Sequence, residues 1–211
     1  MLNVELDTRN AERAIAITAT FTAEPLERPL TFWLEEFQIP ARITFAPYNQ
    51  VFQQLVDPSS LLGTNHTGVN IILLCFEDWQ KSAAGRQAGE VSFPALERAA
   101  HDFARAVTTA AERSATPQLV CLCPASPALA MNPDRKRLFE DIAASLQAEL
   151  QEIPGVHVIS TAELFACYPV AEYYDPHSDR LAHVPYTPLF FSALATMLAR
   201  KIYSLTRTRI R

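Results

Sequence analysis

Short apolar runs of strand length alternate with stretches in which apolar residues recur every three or four positions, and this alternation continues along the chain from Ala14 to Leu205. Such alternation predicts a parallel sheet covered by helices on both faces. Five runs read as strands: residues 14–21, 41–46, 69–76, 118–123 and 155–160. The third carries no polar break beyond Asn70 and is expected at the sheet centre, buried on both sides. Between the runs, Leu26, Leu30, Trp33, Leu34 and Phe37 mark a helix over 25–37, with Pro25 suited to its first turn. Val51, Phe52 and Leu55 mark a short helix after the second strand. Residues 57–62 read as a turn opening another short helix. Longer helices are predicted over 94–113, 133–152 and 188–205, the last following a histidine-bearing loop. Residues 81–90 read as a mobile stretch.

The expected fold is α/β: a flavodoxin-like three-layer α/β/α sandwich with a five-stranded parallel sheet, in one domain. The chain has only five glycines. No GxGxxG follows the first strand and no GxxxxGK[ST] occurs, which excludes the usual glycine-loop cradles for dinucleotides and nucleoside triphosphates.

Composition narrows the functional classes. With 211 residues, 49% of them hydrophobic, the chain can bury one sizeable core. A formal charge of -5 argues against nucleic acid or an anionic membrane as partner. The only basic run is the tail from Arg207 to Arg211, read as solvated. No signal peptide stands at the start and no apolar run approaches the roughly 20 residues of a membrane span, so a cytoplasmic location is expected. The four cysteines, Cys75, Cys121, Cys123 and Cys167, lack zinc-ligand spacing and are expected as thiols. Cys121 and Cys123, two apart in one strand, should point to the same face of the core.

In open α/β sheets ligands bind beyond the carboxyl ends of the strands. The residues expected there are Thr20, Phe21 and Thr22 after the first strand, Tyr48, Asn49 and Gln50 after the second, Glu77 and Asp78 after the third, Pro124 to Ser126 after the fourth, and the late loop. His183 is the candidate general base, with Asp179 to orient it. The alternative is an imidazole that anchors the turn. His177 is expected to be exposed, and His66, His101 and His157 structural or solvated. Thr20 or Thr22 would supply a nucleophile, although a threonine at a strand-to-helix junction also suits a cap. Asn49 could donate to an oxyanion or serve the turn. Glu77 and Asp78 could orient a donor, and with no third carboxylate nearby in sequence no metal is expected.

Several ordered segments resemble a known family. They are Ala19 to Leu26, Phe45 to Leu55, Asp57 to Leu62, Gly68 to Asn70, Glu77 to Trp79 and His183 to Thr187. Together they are similar to the amino-terminal portion of FkbH-like proteins of polyketide and nonribosomal peptide assembly lines, over about residues 15–202. The resemblance implies an SGNH-hydrolase-like fold and a place in a larger multidomain protein. It also implies, as partners, an acyl or peptidyl carrier protein and neighbouring assembly-line domains. No cofactor of its own is implied, the phosphopantetheine arm of the carrier being the group presented to the site. In the family a haloacid-dehalogenase-type domain follows and moves a glyceryl unit onto the carrier thiol. Its DxDxT-like motif is missing from this sequence, so glyceryl transfer is not implied for these residues alone.

The comparison also locates what is missing. Active SGNH enzymes place a serine after Gly-Asp at the end of the first strand, and here Phe21 stands at that position with Thr22 beyond it. The asparagine block resembles Phe76-Glu77-Asp78, without an asparagine. Asn49 or Gln50 occupies the region of the glycine block. The late Asp-x-x-His resembles Asp179 and His183, with one extra residue between them. The expectation is therefore an SGNH-like domain with a degenerate hydrolase site that handles or positions a carrier-bound acyl group. The alternatives are an acyltransferase or thioesterase using threonine with His183, and a non-catalytic structural or docking module.

Overall fold

The computed structural model describes residues 12–79 and 93–208. The predicted mobile stretch 81–90, the first residues of the chain and the end of the basic tail lie outside them.

Five strands, β1 (Arg13–Ala19), β2 (Ala41–Phe45), β3 (Val69–Leu74), β4 (Gln118–Leu122) and β5 (Val156–Ile159), form one sheet in the order β2-β1-β3-β4-β5. Every pairing is parallel. The order reverses between β1 and β3, which places a crevice at their carboxyl ends. The helices are α1 (Glu27–Glu36), α2 (Val51–Val56), α3 (Phe93–Arg113), α4 (Pro127–Ala130), α5 (Pro133–Gln151), α6 (Thr161–Cys167), α7 (Pro176–Ala182) and α8 (Pro188–Thr208). A 3-10 turn over Glu24–Leu26 precedes α1, and a helical turn begins at Phe76.

Period-two alternation divides the sheet between two cores. Ile15, Ile17, Ala19, Ile71, Leu73, Leu119 and Cys121 join one cluster with Leu30 and Leu34 of α1 and Phe190, Leu194 and Leu198 of α8. Ala16, Ile72, Leu74, Val120 and Leu122 join the other with Leu55 of α2, Phe103 and Val107 of α3, and Ile142 and Leu146 of α5. The result is the expected three-layer sandwich, with β3 buried along its whole length. Gly68 lets β3 start hard against β1, since a Cβ there would stand 1.9 Å from the Ala14 carbonyl oxygen.

Several local expectations change. β1 and β3 end two residues early because Thr20 and Cys75 turn their polar groups to each other instead of continuing the ladder. Residues 57–62 form turns and no helix: Asp57 accepts from the backbone and side chain of Ser59, a local bond that competes with helix formation. The late loop contains α7. Asp175 caps it by accepting from the amides of His177 and Ser178, and Pro176 fits its first turn. The helix α6, capped by Ser160, is a further element that strand-and-helix patterning passed over. Cys121 and Cys123 share one buried face, with sulfurs 3.9 Å apart. Among the described residues, no helix is long and apolar enough to cross a membrane.

Candidate functional site at the carboxyl end of the sheet

β1 and β3 are neighbours, so the residues that follow them meet above the sheet. Thr20 is fully buried. Its hydroxyl donates to Asp78 Oδ2 at 2.9 Å and accepts from the Cys75 amide at 3.0 Å. The hydroxyl thus bridges the two strand ends and makes no helix cap. Asp78, itself 7% exposed, approaches from the helical turn that begins at Phe76. Phe21 is 3% exposed and packs edge-on against Tyr186, with ring centroids 5.0 Å apart.

Glu77 points to the next strand. Its carboxylate accepts from the Ser126 amide at 2.6 Å and from the Ser126 hydroxyl at 2.7 Å, pinning the loop between β4 and α4. Two tyrosines fasten the same loop: Tyr186 donates to the Pro124 carbonyl at 2.8 Å and Tyr173 to the Ala125 carbonyl at 2.9 Å. Burial pushes the Tyr186 and Tyr173 hydroxyls upward, with neighbouring thiols and carboxylates adding to the shift. Burial also pushes the Cys75 and Cys123 thiols well up, with Asp78 among the charges that add to each. At neutral pH these groups stay protonated, as hydrogen-bond donors rather than nucleophiles. Among the described residues no cluster of three or more metal-ligating side chains occurs.

The late segment closes over this cluster. The Asp175 amide donates to Pro185 and the Thr187 amide to Tyr173, making a short antiparallel bridge between Tyr174 and Tyr186. Thr22 ties α7 to the end of β1, its hydroxyl donating to the Ala182 carbonyl at 2.7 Å and its amide to the His183 carbonyl at 2.8 Å. His183 is the C-cap of α7 at φ 53° and ψ 34°, a left-handed conformation usually given to glycine. It is exposed, and its ring stacks on that of Tyr48 with centroids 4.9 Å apart and planes 21° from parallel. Asp179 accepts from the Tyr174 hydroxyl at 2.6 Å. Asn49, also exposed, holds φ 55° in the turn after β2, and Gln50 is the N-cap of α2.

The fold therefore gathers the candidate catalytic and binding residues at one end of the sheet, and two groups stand out among them. Thr20, Glu77 and Asp78 form a buried, internally bonded layer. In the second group His183 contacts both Thr22, through the backbone, and Tyr48, through the ring stack, with Asn49 next to Tyr48 in the turn after β2 and Asp179 one helical turn before His183 in α7. Tyr48 and Ser126 are among the residues expected beyond the strand ends, whereas Tyr173 and Tyr186 are not singled out in the sequence. The part of all four in the site depends on partners 48 to 135 positions away in sequence. The aromatic density of Tyr173 to Tyr186 was the one available signal.

The fold and this end-of-sheet arrangement define the protein as a three-layer α/β domain whose polar residues converge at the topological switch point. No family model matches the chain, and no curated protein matches it in sequence. Among solved structures, it is similar to the N-terminal part of the protein BF1531 from Bacteroides fragilis, a chain described as containing a phosphatase domain and complexed with Mg. The TM-score is 0.64 at 14% identity, over 88% of this chain and 50% of that one. That likeness establishes a common fold, and the chain spans half the length of its neighbour.

Proposed function

We propose that this chain is an SGNH-like domain of an assembly-line enzyme that holds a carrier-bound acyl group in place without cleaving it. One observation carries the reading. At the position that the sequence resemblance aligns with the serine of an active hydrolase stands Phe21, which is buried against Tyr186, and the adjacent Thr20 hydroxyl is occupied on both sides by Asp78 and Cys75. A nucleophile must reach an acyl carbon and pass its proton to a base. Thr20 is sealed from any substrate, and Thr22 gives its proton to a backbone carbonyl, which is no base.

The exposed surface above that layer is suited to contact instead. Tyr48 and His183 present a stacked pair at the crevice mouth, where an acyl group on a flexible arm would find both aromatic area and a ring nitrogen. The sequence resemblance to FkbH-like proteins supports a carrier protein as the bearer of that group. The longer solved neighbour, with its phosphatase domain, supports a domain that works beside a second one.

The test mixes the purified chain with acylated and unacylated carrier protein. Binding is followed by calorimetry and acyl load by intact-protein mass spectrometry. The expected result is tighter binding of the acylated form, weakened by Tyr48→Ala, with the acyl load unchanged over hours. If neither form binds and the load does not change, the reading is wrong. A falling load that His183→Ala abolishes would replace it with acyl transfer.

A further inference from the structure

The two edges of the sheet are built differently. β2, at one edge, follows Pro40 and carries exposed Arg42 and Thr44. Charge and proline at an edge discourage another strand from pairing there. β5, at the other edge, reads Val-His-Val-Ile, without a lysine, arginine, acid or proline.

Backbone register shows what β5 leaves open. The Gln118 amide donates to the Gly155 carbonyl at 2.9 Å, and Gln118 is the register partner of Val156. In a parallel ladder the main-chain groups of alternate residues point to opposite neighbours, so Gly155, His157 and Ile159 face β4 while Val156 and Val158 face outward. The Val156 amide turns back to the Ile153 carbonyl at 3.1 Å. Its carbonyl, and both main-chain groups of half-buried Val158, meet no further strand among the described residues.

An extended strand has room to reach these groups. An open cavity of about 600 Å³ is lined by Val156 and Val158, by Gln151 of α5 and by Ser204 and Leu205 of α8. Because α5 and α8 cover opposite faces of the sheet, the cavity wraps round the edge from one face to the other. Ala143 and Gln147 precede Gln151 at intervals of four on α5 and share its side, which is therefore uncharged. Lys201 of α8 also lines the cavity, and Glu163 of α6 pairs with it at 2.8 Å.

The sequence of the edge selects the partner. Val156-His157-Val158 is the same read in either direction. Two copies running antiparallel about His157 therefore set valine opposite valine, and each Val158 amide meets the other copy's Val156 carbonyl. The two His157 residues then form the close pair that exchanges no hydrogen bonds, with both rings on the α8 face, since His157 lies two residues from Ile159 of that core. Partial burial, and then Lys201, holds the His157 imidazole below its ordinary value, so at neutral pH the two rings oppose each other without charge. A contact symmetric in this way closes on itself as a dimer.

We infer that the β5 edge is a self-association surface through which two copies of this chain pair antiparallel about His157, joining two five-stranded sheets into one. The surface uses none of the residues of the carboxyl-end crevice, so either reading can fail alone.

The experiment follows the mass of the full chain by sedimentation equilibrium at neutral pH, from low to high micromolar concentration. A reversible equilibrium between monomer and dimer is expected. Val158→Pro removes the outward amide, which pairs with no strand in the single copy, and should weaken the dimer about tenfold or more because two hydrogen bonds are lost per dimer. His157→Glu, a change at an exposed position near Lys201, should weaken it comparably by setting two carboxylates opposite each other, and covers the case in which the proline variant fails to fold. Mixing equal amounts of His157→Glu and His157→Lys should restore the dimer. A wild type that stays monomeric overturns the inference, and so does a dimer that neither substitution weakens.

Discussion

Replacing Thr20 by valine removes one hydroxyl from the middle of the molecule and leaves the shape almost unchanged. The side chain is fully buried, so no solvent can take the place of the lost oxygen. Two bonds disappear together. The Cys75 amide loses its acceptor at 3.0 Å, and an orphaned buried donor costs about 1–3 kcal/mol. Asp78, 7% exposed, loses a donor at 2.9 Å, and hydrogen bonds to charged groups contribute about 1.5–3 kcal/mol. Because the two share one oxygen they do not add fully, and the expected loss is about 2–4 kcal/mol. That is a large fraction of the roughly 5–15 kcal/mol that holds a typical domain folded. Urea unfolding at pH 7 should show the midpoint lowered by about 1–2 M with an unchanged slope. Thr20→Ser, which keeps the oxygen and loses a methyl, should cost only about 1 kcal/mol. A Thr20→Val loss below about 0.5 kcal/mol would refute the structural role. It would also return Thr20 to candidacy as a reactive group.

Thr18, 1% exposed, has a hydroxyl with no hydrogen-bond partner among the described residues, so Thr18→Val should raise stability by about 1 kcal/mol in the same urea assay. His183→Gly should be more stable than His183→Ala by about 1 kcal/mol in thermal melts, since both lose the ring and only glycine adopts φ 53° freely. Asp175 is held below the ordinary carboxylate range, first by its bonds from the Ser178 hydroxyl and amide. A group depressed in the folded state stabilises above its unfolded value, near 4, and loses that contribution as pH falls through the folded value. Amide protection factors in α7, corrected for the intrinsic exchange rate at each pH, should therefore fall below about pH 4 in the wild type. In Asp175→Asn that fall should be absent.

The sequence by itself determined the layers. The unbroken apolar run of β3, the strand-length runs of β1 and β4, and helices with apolar residues every three or four positions are local properties, and hydrophobic burial permits few other arrangements of them. The same patterning also placed Thr20, Glu77 and Asp78 at one end, because a residue that follows a parallel strand lies at the carboxyl edge whatever its chemistry. Tertiary structure decided what those residues do. Whether the Thr20 hydroxyl faces a crevice or bridges Asp78 and Cys75 depends on contacts 55 and 58 positions away, and no local pattern encodes them. The helix α7 within the predicted loop was legible only in part: Asp175-Pro176 is a local start signal, but its end at His183 rests on the Thr22 tether and the Tyr48 stack. Burial is the physical reason for the difference. Apolar periodicity reports which face of an element avoids water, whereas the partner that satisfies a buried polar atom is fixed only when distant elements pack together.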